Sequence, residues 1–329
     1  MIFRRPGHSG FFSIERSFAA IWKDLSHETG NALRRVQACC VSQGFFPRLR
    51  ILLQMRRLRA GLYHISGDIH FAALATPPSR TVLTIHDCRF LQHPNPALRH
   101  ILYWFWLKWP VRRCRHITVV SEATKAAVLF HTGCTAEKIT VIPSAIPVHF
   151  LPDPRPFNDK RPRVLHLGST PNKNLRRHIE ALRGLPCQLH IVGWLPESER
   201  RLLEAWEMDF ICTPELDETA VLRAYQACDL LLFASTEEGF GMPILEAQAV
   251  GRPVVTSNCS SMPEVAGAGA CLVDPLDSKA IRAGLLRVLN HPDYRDQLVQ
   301  AGFKNARRFQ PAAIARRYAQ VYQTVLQQT

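Results

Sequence analysis

The sequence has no long apolar run, no metal-binding cysteine pattern and no low-complexity segment. Its most apolar stretch, residues 101–107, ends at Lys108, and a membrane-spanning helix needs roughly 20 such residues. None of the ten cysteines belongs to a Cys-x-x-Cys pair or to a Cys/His cluster with zinc-site spacing. No apolar run follows Arg4 and Arg5, so no secretory signal is expected. These absences predict a cytosolic protein whose cysteines are reduced and mostly buried.

The length and charge of the chain give two further expectations. A chain of 329 residues is longer than one core usually holds, which predicts two domains. Hydrophobic residues make up 47% and charged residues 21%, as in globular proteins rather than disordered ones. Residues 1–150 contain 20 basic against 7 acidic residues, a net +13 of the total +14. This imbalance predicts an anionic partner for the first half: nucleic acid, a membrane surface or a phosphorylated ligand.

Short apolar runs alternate with amphipathic helical patterns, which is typical of parallel sheets with crossover helices. The sequence predicts an α/β protein with a first domain over 1–146, a proline-rich linker over 147–162 and a second domain over 163–329. The last helix, predicted at 312–326, is able to pack back on the first domain. The predicted strands are Thr81–Ile85, His116–Val120, Thr140–Ile142, Arg163–Leu167, Gln188–Val192, Asp229–Ala234 and Pro253–Ser257.

The most informative stretch runs from Asp229 to Ala247. A buried strand leads into Glu238-Gly239-Phe240-Gly241, and a helix then begins near Pro243. Seven residues separate Glu238 from Glu246, so both carboxylates can face one cavity above the strand end. Carboxylates accept hydroxyl hydrogen bonds and suit sugar and ribose diols. The structural alternative is a glycine turn with Glu246 offsetting the helix dipole.

This stretch resembles the Glu-x7-Glu signature of retaining glycosyltransferases of the GT-B fold, family 4. The resemblance continues through residues 251–258, 261–267 and 272–275. It implies two Rossmann-like domains whose parallel sheets face a central cleft.

The resemblance also implies roles for individual residues. Lys173, in the strand-end loop 168–175, matches the lysine that binds the donor diphosphate, and His86 matches the histidine across the cleft from the donor sugar. Glu238 matches the residue that holds a hydroxyl of the transferred sugar. Ser169 stands where the family often has arginine, which leaves Lys173 as the main cation. The predicted catalytic residues are Glu238, His86 and Lys173, and the predicted substrate-binding residues are Gly10, Ser169, Gly239, Phe240, Gly241, Leu245 and Glu246.

The implied reaction moves a sugar from a nucleotide-diphosphate-sugar donor to a hydroxyl of a glycan or lipid-linked acceptor, in envelope polysaccharide or lipopolysaccharide biosynthesis. Family members generally need no metal, and the sequence has no Asp-x-Asp motif. The prediction is therefore a cytoplasmic enzyme with no metal and no cofactor besides its donor substrate. Contacts to the nucleotide base are expected from residues 213–216.

Three alternatives belong to other classes. A nucleic-acid-binding protein would explain the basic half, but no helix-turn-helix, RRM or zinc signature accompanies it, and no nucleic-acid partner is predicted. A catalytically silent nucleotide-sugar-binding module would not need Glu238, Glu246 and Lys173 intact. A phosphorylase or sugar epimerase of the same fold fits less well with the context of Lys173 and Gly-Phe-Gly.

Two segments of the first half mix basic and apolar residues. Five arginines lie within residues 48–59 among aliphatic side chains, and residues 103–109 are rich in aromatics and precede Arg112, Arg113 and Arg115. Such mixtures suit an anionic membrane surface, which would place the protein at the inner face of the membrane. The alternative is a pair of core helices whose arginines face water.

Overall fold

The computed structural model describes residues 1–5, 13–30, 32–214 and 217–328. It divides into two compact units, one formed by Met1–Pro147 together with Phe309–Thr329 and the other by Val148–Arg308. Residues 148–162, which the sequence analysis assigned to a linker, group with the second unit. The C-terminal segment groups with the first unit, the packing that the sequence analysis allowed for the last helix.

The first unit contains a six-stranded, all-parallel sheet with the order β2-β1-β3-β4-β5-β6. Buried strands carry apolar residues on both faces because helices cover both. Ile2 and Val82 pack on one side, and Phe3 and Leu83 on the other. The strands are β1 (Ile2–Arg4), β2 (Arg35–Gln37), β3 (Tyr63–Ile65), β4 (Thr81–Ile85), β5 (His116–Val119) and β6 (Ile139–Val141), and the helices are α1 (Ser13–Glu28), α2 (Phe45–Arg57), α3 (Pro96–Leu102), α4 (Trp109–Arg113) and α5 (Glu122–Thr132).

The second unit contains a six-stranded, all-parallel sheet with the order β12-β11-β10-β7-β8-β9. Counted from its own first strand, this is the 3-2-1-4-5-6 order of nucleotide-binding folds. The strands are β7 (Arg163–Leu167), β8 (Gln188–Val192), β9 (Phe210–Thr213), β10 (Leu230–Phe233), β11 (Val254–Ser257) and β12 (Cys271–Val273). The helices are α6 (Leu175–Leu182), α7 (Glu197–Ala205), α8 (Glu218–Ala227), α9 (Met242–Val250), α10 (Met262–Ala266), α11 (Ser278–Asn290) and α12 (Pro292–Ala306).

The chain ends in α13 (Pro311–Gln327), which packs in the first unit beside α1. Its buried face includes Ile314, Tyr318 and Tyr322. The sequence pattern predicted this helix to within one residue at each end. Among the described residues, no helix combines the length and the hydropathy needed to cross a bilayer.

All seven predicted strands are present, three of them with the predicted bounds. Five strands were missed, namely β1, β2, β3, β9 and β12, of which four have only three residues. All ten cysteines are free, but only five of them are buried, fewer than the sequence analysis predicted. Burial raises the pKa of Cys114 and of Cys228 to about 12, so these two thiols stay protonated.

A buried polar network connects the first sheet to α13. His64 in β3 shares a hydrogen bond with Tyr322 Oη through Nδ1 at 2.6 Å and one with Thr84 Oγ1 through Nε2 at 2.7 Å. Thr84 in turn shares one with Thr118 Oγ1 at 2.7 Å. Burial lowers the pKa of His64 to about 3, so the imidazole is neutral in the folded protein.

We expect this histidine to make stability depend on pH. An unfolded histidine has a pKa near 6.5, above the folded value of about 3, so the unfolded state binds more protons in acid. Stability is therefore lost as pH falls from about 6.5 toward the folded pKa. His64 alone should account for a loss of about 2 kcal/mol in the free energy of unfolding between pH 7 and pH 5.

Urea unfolding of the parent and of His64→Gln at both pH values measures this contribution. The variant should show the smaller pH dependence, whereas His27→Gln, at an exposed position of α1, should follow the parent. An unchanged pH dependence in His64→Gln would contradict the assignment.

Candidate functional site

The second sheet has a topological switch point between β7 and β10. The chain continues from β7 to β8 and β9 on one side, and from β10 to β11 and β12 on the other. In open α/β sheets, ligands bind at the carboxyl ends of the strands at such a point. The loops after these two strands, residues 168–174 and 234–241, form the candidate site.

Two glycines shape the first loop. Gly168 has φ +82°, and a Cβ there would lie 3.2 Å from Lys173 Cγ. Gly193, at the end of β8, has φ +131°, and a Cβ there would lie 3.3 Å from Gly168 Cα. Glycine is favoured at both positions because side chains rarely adopt these positive φ values and neighbouring atoms leave little space for a Cβ. The loop can therefore fold closely over the aliphatic part of Lys173.

Lys173 and Glu238 form an ion pair across the switch point. Lys173 Nζ donates to Glu238 Oε1 at 2.7 Å, and the two side chains are 20% and 11% exposed. Asn172 Nδ2 donates to the same oxygen at 3.2 Å, and the ammonium lies 4.6 Å from the ring centroid of Phe233. These contacts fix one cation and one anion at the strand ends. The structure thus brings together two of the predicted catalytic residues.

Asn174 joins the two loops, a role that the sequence analysis missed. Its φ is +63°, and its Nδ2 donates to the main-chain oxygens of Ala234 at 2.9 Å and Pro275 at 2.7 Å. Asparagine is one of the few residues that adopt left-handed backbone readily. An asparagine directly before a helix was the available signal, but its distant acceptors could not be read from the sequence.

A buried histidine pair lies beneath the same loop. His166 Nε2 lies 2.6 Å from the oxygen of Gly168, and the Nδ1 atoms of His166 and His178 are 2.9 Å apart. A carbonyl oxygen only accepts, so the proton of this hydrogen bond belongs to His166 Nε2. Burial lowers the pKa of His166 to about 4 and that of His178 well below the usual value. The pair holds Gly168 in place without adding charge at neutral pH.

Two serines in the turn after β11 support the second loop. Ser260 Oγ donates to the main-chain oxygen of Glu238 at 2.8 Å. Ser261 Oγ lies 3.0 Å from the same oxygen and 2.8 Å from that of Phe240. The turn ends at Gly241, which directly precedes the first residue of α9 and has a φ of +103°. These bonds fix the loop at the start of α9, and the amino end of a helix favours an anion.

Glu246 lies in the second turn of α9 and is 6% exposed. Tyr225 Oη, from α8, donates to Glu246 Oε2 at 2.6 Å. The sequence analysis missed Tyr225, which lies 21 residues earlier and is fully buried. The two carboxylates of the motif therefore have different partners, Tyr225 for Glu246 and Lys173 for Glu238.

His86 follows β4 in the first unit. Its Nε2 lies 3.1 Å from the oxygen of Ser66, which requires the proton on that nitrogen and leaves the lone pair on Nδ1. Burial lowers the pKa of His86, so the ring is neutral at physiological pH. Thr124 Oγ1 donates to the His86 oxygen at 3.3 Å, and Ser121 caps the amino end of α5.

The remaining predicted substrate-binding residues differ in how far their side chains are exposed. Ser169 and Gly239 are half-buried loop residues. Leu245 is fully buried and Phe240 is 8% exposed, so a contact with substrate would come from their main chains. Gly10 lies outside the described residues, as do 215–216 of the predicted base-binding segment. No three His, Cys, Asp or Glu side chains of the described chain are grouped so that they could hold a metal ion.

Family models match both units. The model described as Glycosyl transferases group 1 matches residues 149–305, and the one described as Glycosyltransferase Family 4 matches residues 29–150. The chain belongs to the group 1 glycosyltransferases. The two matches run without a gap from residue 29 to residue 305, so they include every candidate residue except Gly10.

Curated relatives are bacterial glycosyltransferases. The O-antigen chain mannosyltransferase RfbU of Salmonella typhimurium is 25% identical over 224 residues, which cover 64% of this chain and 61% of that protein. The O-antigen chain mannosyltransferase B of Escherichia coli is 27% identical over 258 residues, 70% of this chain and 66% of that protein. This chain therefore spans less than two thirds of the length of either relative.

Solved structures share the fold over nearly the whole chain. Sucrose-phosphate synthase from Thermosynechococcus elongatus superposes with a TM-score of 0.77 at 16% identity, covering 100% of this chain and 99% of that one. Anabaena HepE in complex with UDP-glucose gives a TM-score of 0.75 at 16% identity, covering 98% and 99%. The chain thus has the GT-B fold of two parallel-sheet α/β domains. The predicted fold class is confirmed, and the functional roles of its residues stay predictions.

We expect Glu246→Ala to weaken nucleotide binding by about 1.5–3 kcal/mol, because a charge-assisted hydrogen bond to a ribose hydroxyl would be lost. Isothermal titration with UDP and GDP measures the change.

Tyr225→Phe is the matched control for this variant. It keeps the Glu246 carboxylate but removes the hydroxyl that donates to it, so binding should change by no more than about 1 kcal/mol. Nucleotide affinity equal to that of the parent in Glu246→Ala would contradict the ribose contact.

Proposed function

We propose that this glycosyltransferase moves a sugar from a nucleotide-diphosphate donor to a hydroxyl of a glycan or lipid-linked acceptor, with retention of anomeric configuration. The observation that carries the proposal is the Lys173–Glu238 ion pair, 2.7 Å long, at the switch point of the second sheet. The Gly-Phe-Gly turn and Glu246 follow within the same loop and helix.

Each group has a defined task in this proposal. Lys173 and main-chain N–H groups of the glycine loops stabilise charge on the diphosphate. Glu246 accepts from the ribose, and Glu238 accepts from a hydroxyl of the transferred sugar. The neutral ring of His86 offers Nδ1 as a hydrogen-bond acceptor on the acceptor side.

The chemical step needs no protein nucleophile. The bond between the anomeric carbon and the diphosphate oxygen breaks, and the acceptor oxygen bonds to the same face of the sugar. The acceptor proton passes to the departing phosphate oxygen, so charge and atoms balance. Lys173 acts in this step by stabilising the negative charge that develops on the diphosphate.

The relatives support an assignment to envelope polysaccharide or lipopolysaccharide synthesis. Both of those described above are named as O-antigen chain mannosyltransferases, so mannosyl donors deserve the first test. The ten free cysteines fit a reducing cytoplasm. A lipid-linked acceptor would bring the enzyme to the inner face of the membrane.

A donor panel tests the proposal. GDP-mannose, UDP-glucose, UDP-galactose and a dTDP-sugar are incubated with a lipid-linked oligosaccharide extract, and products are identified by mass spectrometry. One donor should yield product, and the anomeric coupling in its NMR spectrum should match that of the donor. Nucleotide binding without transfer or donor hydrolysis would instead indicate a silent binding module.

We expect transfer to survive EDTA, because Lys173 and the loop amides supply the diphosphate contacts. Turnover measured with and without millimolar EDTA should agree within about twofold, which corresponds to less than ~0.5 kcal/mol in activation free energy. The control is a parallel assay with added Mn²⁺. Complete loss of activity in EDTA that Mn²⁺ restores would contradict this description of the donor site.

A further inference from the structure

The basic charge of the first unit lies in two stretches that contain no acidic residue. Residues 29–67 contain seven arginines, and residues 88–121 contain five arginines and one lysine, with no Asp or Glu in either. Among the described residues, no carboxylate forms an ion pair with Arg56, Arg59 or Arg113. These charges are available to an anionic partner.

Helix α2 presents apolar side chains on the same side as its arginines. Ile51 and Met55 are buried in the core. The opposite face carries Phe45, Phe46 and Leu53, which are 72%, 76% and 47% exposed, together with the exposed Arg50, Arg56 and Arg57. An exposed aromatic and aliphatic face flanked by cations is typical of helices that lie in the headgroup region of a bilayer.

A second exposed ridge lies on the neighbouring helical segment. Ile101, Phe105 and Trp109, spaced four residues apart from α3 through the π-helical turn to α4, are 47%, 43% and 41% exposed. The segment is joined to α2 because the Arg48 guanidinium lies 4.7 Å from the ring centroid of Trp106. Trp and Tyr side chains favour the membrane–water interface.

A groove of about 710 Å³ lies beside α2. Its lining includes the aliphatic side chains of Leu49, Leu52, Leu53, Leu58 and Leu74 and the guanidinium-bearing residues Arg56, Arg59 and Arg113. The groove is formed near Tyr63 and Pro77, at the amino ends of β3 and β4, whereas His86 follows the carboxyl end of β4. A ligand in this groove would therefore be held at the edge of the sheet away from His86.

We propose that this face docks on an anionic phospholipid bilayer, with the exposed apolar residues of α2 inserted and one lipid phosphate held by Arg56, Arg59 and Arg113. Charge complementarity favours this occupant over a second copy of the chain, since a symmetric pair would place these arginines against each other. The exposed apolar area favours lipid over nucleic acid, whose affinity comes chiefly from phosphate contacts.

Vesicle co-sedimentation tests the proposal without any turnover, so its outcome is independent of the proposed reaction. The full chain is mixed with vesicles of phosphatidylcholine alone or with 30% phosphatidylglycerol, at low and high salt. We expect binding to require phosphatidylglycerol and to fall by about tenfold or more at high salt, because each arginine contributes to attraction by the anionic surface.

Three variants separate the contributions. Arg56→Gln/Arg57→Gln/Arg59→Gln should reduce binding by about tenfold or more, and Phe45→Ser/Phe46→Ser should reduce it at high and low salt alike because insertion is not screened. Arg223→Gln/Lys279→Gln/Lys304→Gln removes the same charge from exposed positions of the second unit and should bind like the parent. Circular dichroism confirms that each variant is folded.

Several results would overturn the proposal. One such result is equal co-sedimentation of the protein with both vesicle compositions. Another is an equal loss of vesicle binding in the triple arginine variant of the first unit and in the control variant of the second unit. A salt-sensitive gel shift with duplex DNA or RNA in the absence of vesicle binding would assign the face to nucleic acid. A dimer in light scattering that the Phe45→Ser/Phe46→Ser change dissociates would assign it to a second copy.

Discussion

Replacing Glu238 with glutamine should lower kcat by about 100- to 1,000-fold, the range found when one preorganised polar contact to a transition state is removed. The shape of the side chain is kept, but the amide carries no charge to pair with Lys173, whose Nζ lies 2.7 Å from the present carboxylate. One of its two terminal groups also becomes a donor and can no longer accept from a sugar hydroxyl. Binding of the free nucleotide should change little, since the proposed ribose contact is Glu246.

The matched control is Glu237→Gln, which makes the same chemical change one position earlier. Glu237 contacts the site through its main-chain oxygen, which accepts from Asn172 Nδ2 at 3.0 Å. Turnover of the control should stay close to that of the parent. If turnover of Glu238→Gln were also unchanged, the assignment of this carboxylate to the donor sugar would be wrong.

Replacing Lys173 with methionine should lower kcat by a similar factor of about 100 to 1,000. Methionine fills much of the same space beside Gly168 and Phe233 but cannot stabilise the charge of the diphosphate. Affinity for UDP or GDP should fall by about 1.5–3 kcal/mol, and affinity for the corresponding monophosphate by less. Isothermal titration with both nucleotides, alongside turnover, measures these effects.

A double variant shows whether the two charges act together. Since Lys173 and Glu238 are in direct contact, the loss in the combined variant should be smaller than the sum of the single losses. Lys160→Met, at an exposed position of the second unit, controls for removal of a positive charge. Full additivity, or equal loss of mono- and diphosphate affinity, would contradict the diphosphate contact.

Much of the fold followed from the sequence because buried parallel strands are nearly continuous apolar runs. β4, β7 and β8 were found with their bounds for this reason, and α13 was found because its buried residues recur at helical intervals. Three-residue strands such as β1 and β12 carry too little pattern to be separated from loops. The order of the strands depends on tertiary pairing, which local periodicity does not contain.

The candidate site also contains residues that could be named from the sequence and residues that only the structure identifies. Glycines, a lysine after a strand end and two carboxylates in one loop and helix are local signals. Together with the resemblance to a known family, they allowed Lys173, Glu238 and Glu246 to be named from the sequence. Tyr225, Asn174 and the serines at 260 and 261 act through hydrogen bonds to segments that folding brings near, and only the tertiary structure identifies them.

Sequence alone thus determined the fold class and the chemical groups of the site, because hydrophobic periodicity and residue type are local properties. The tertiary structure decided the rest. It placed β7 beside β10, so that Lys173 and Glu238 form an ion pair across the switch point. It also returned α13 to the first unit, where Tyr322 meets His64 across 258 residues of chain. Both outcomes depend on burial and pairing between distant segments, which the local pattern of residues does not encode.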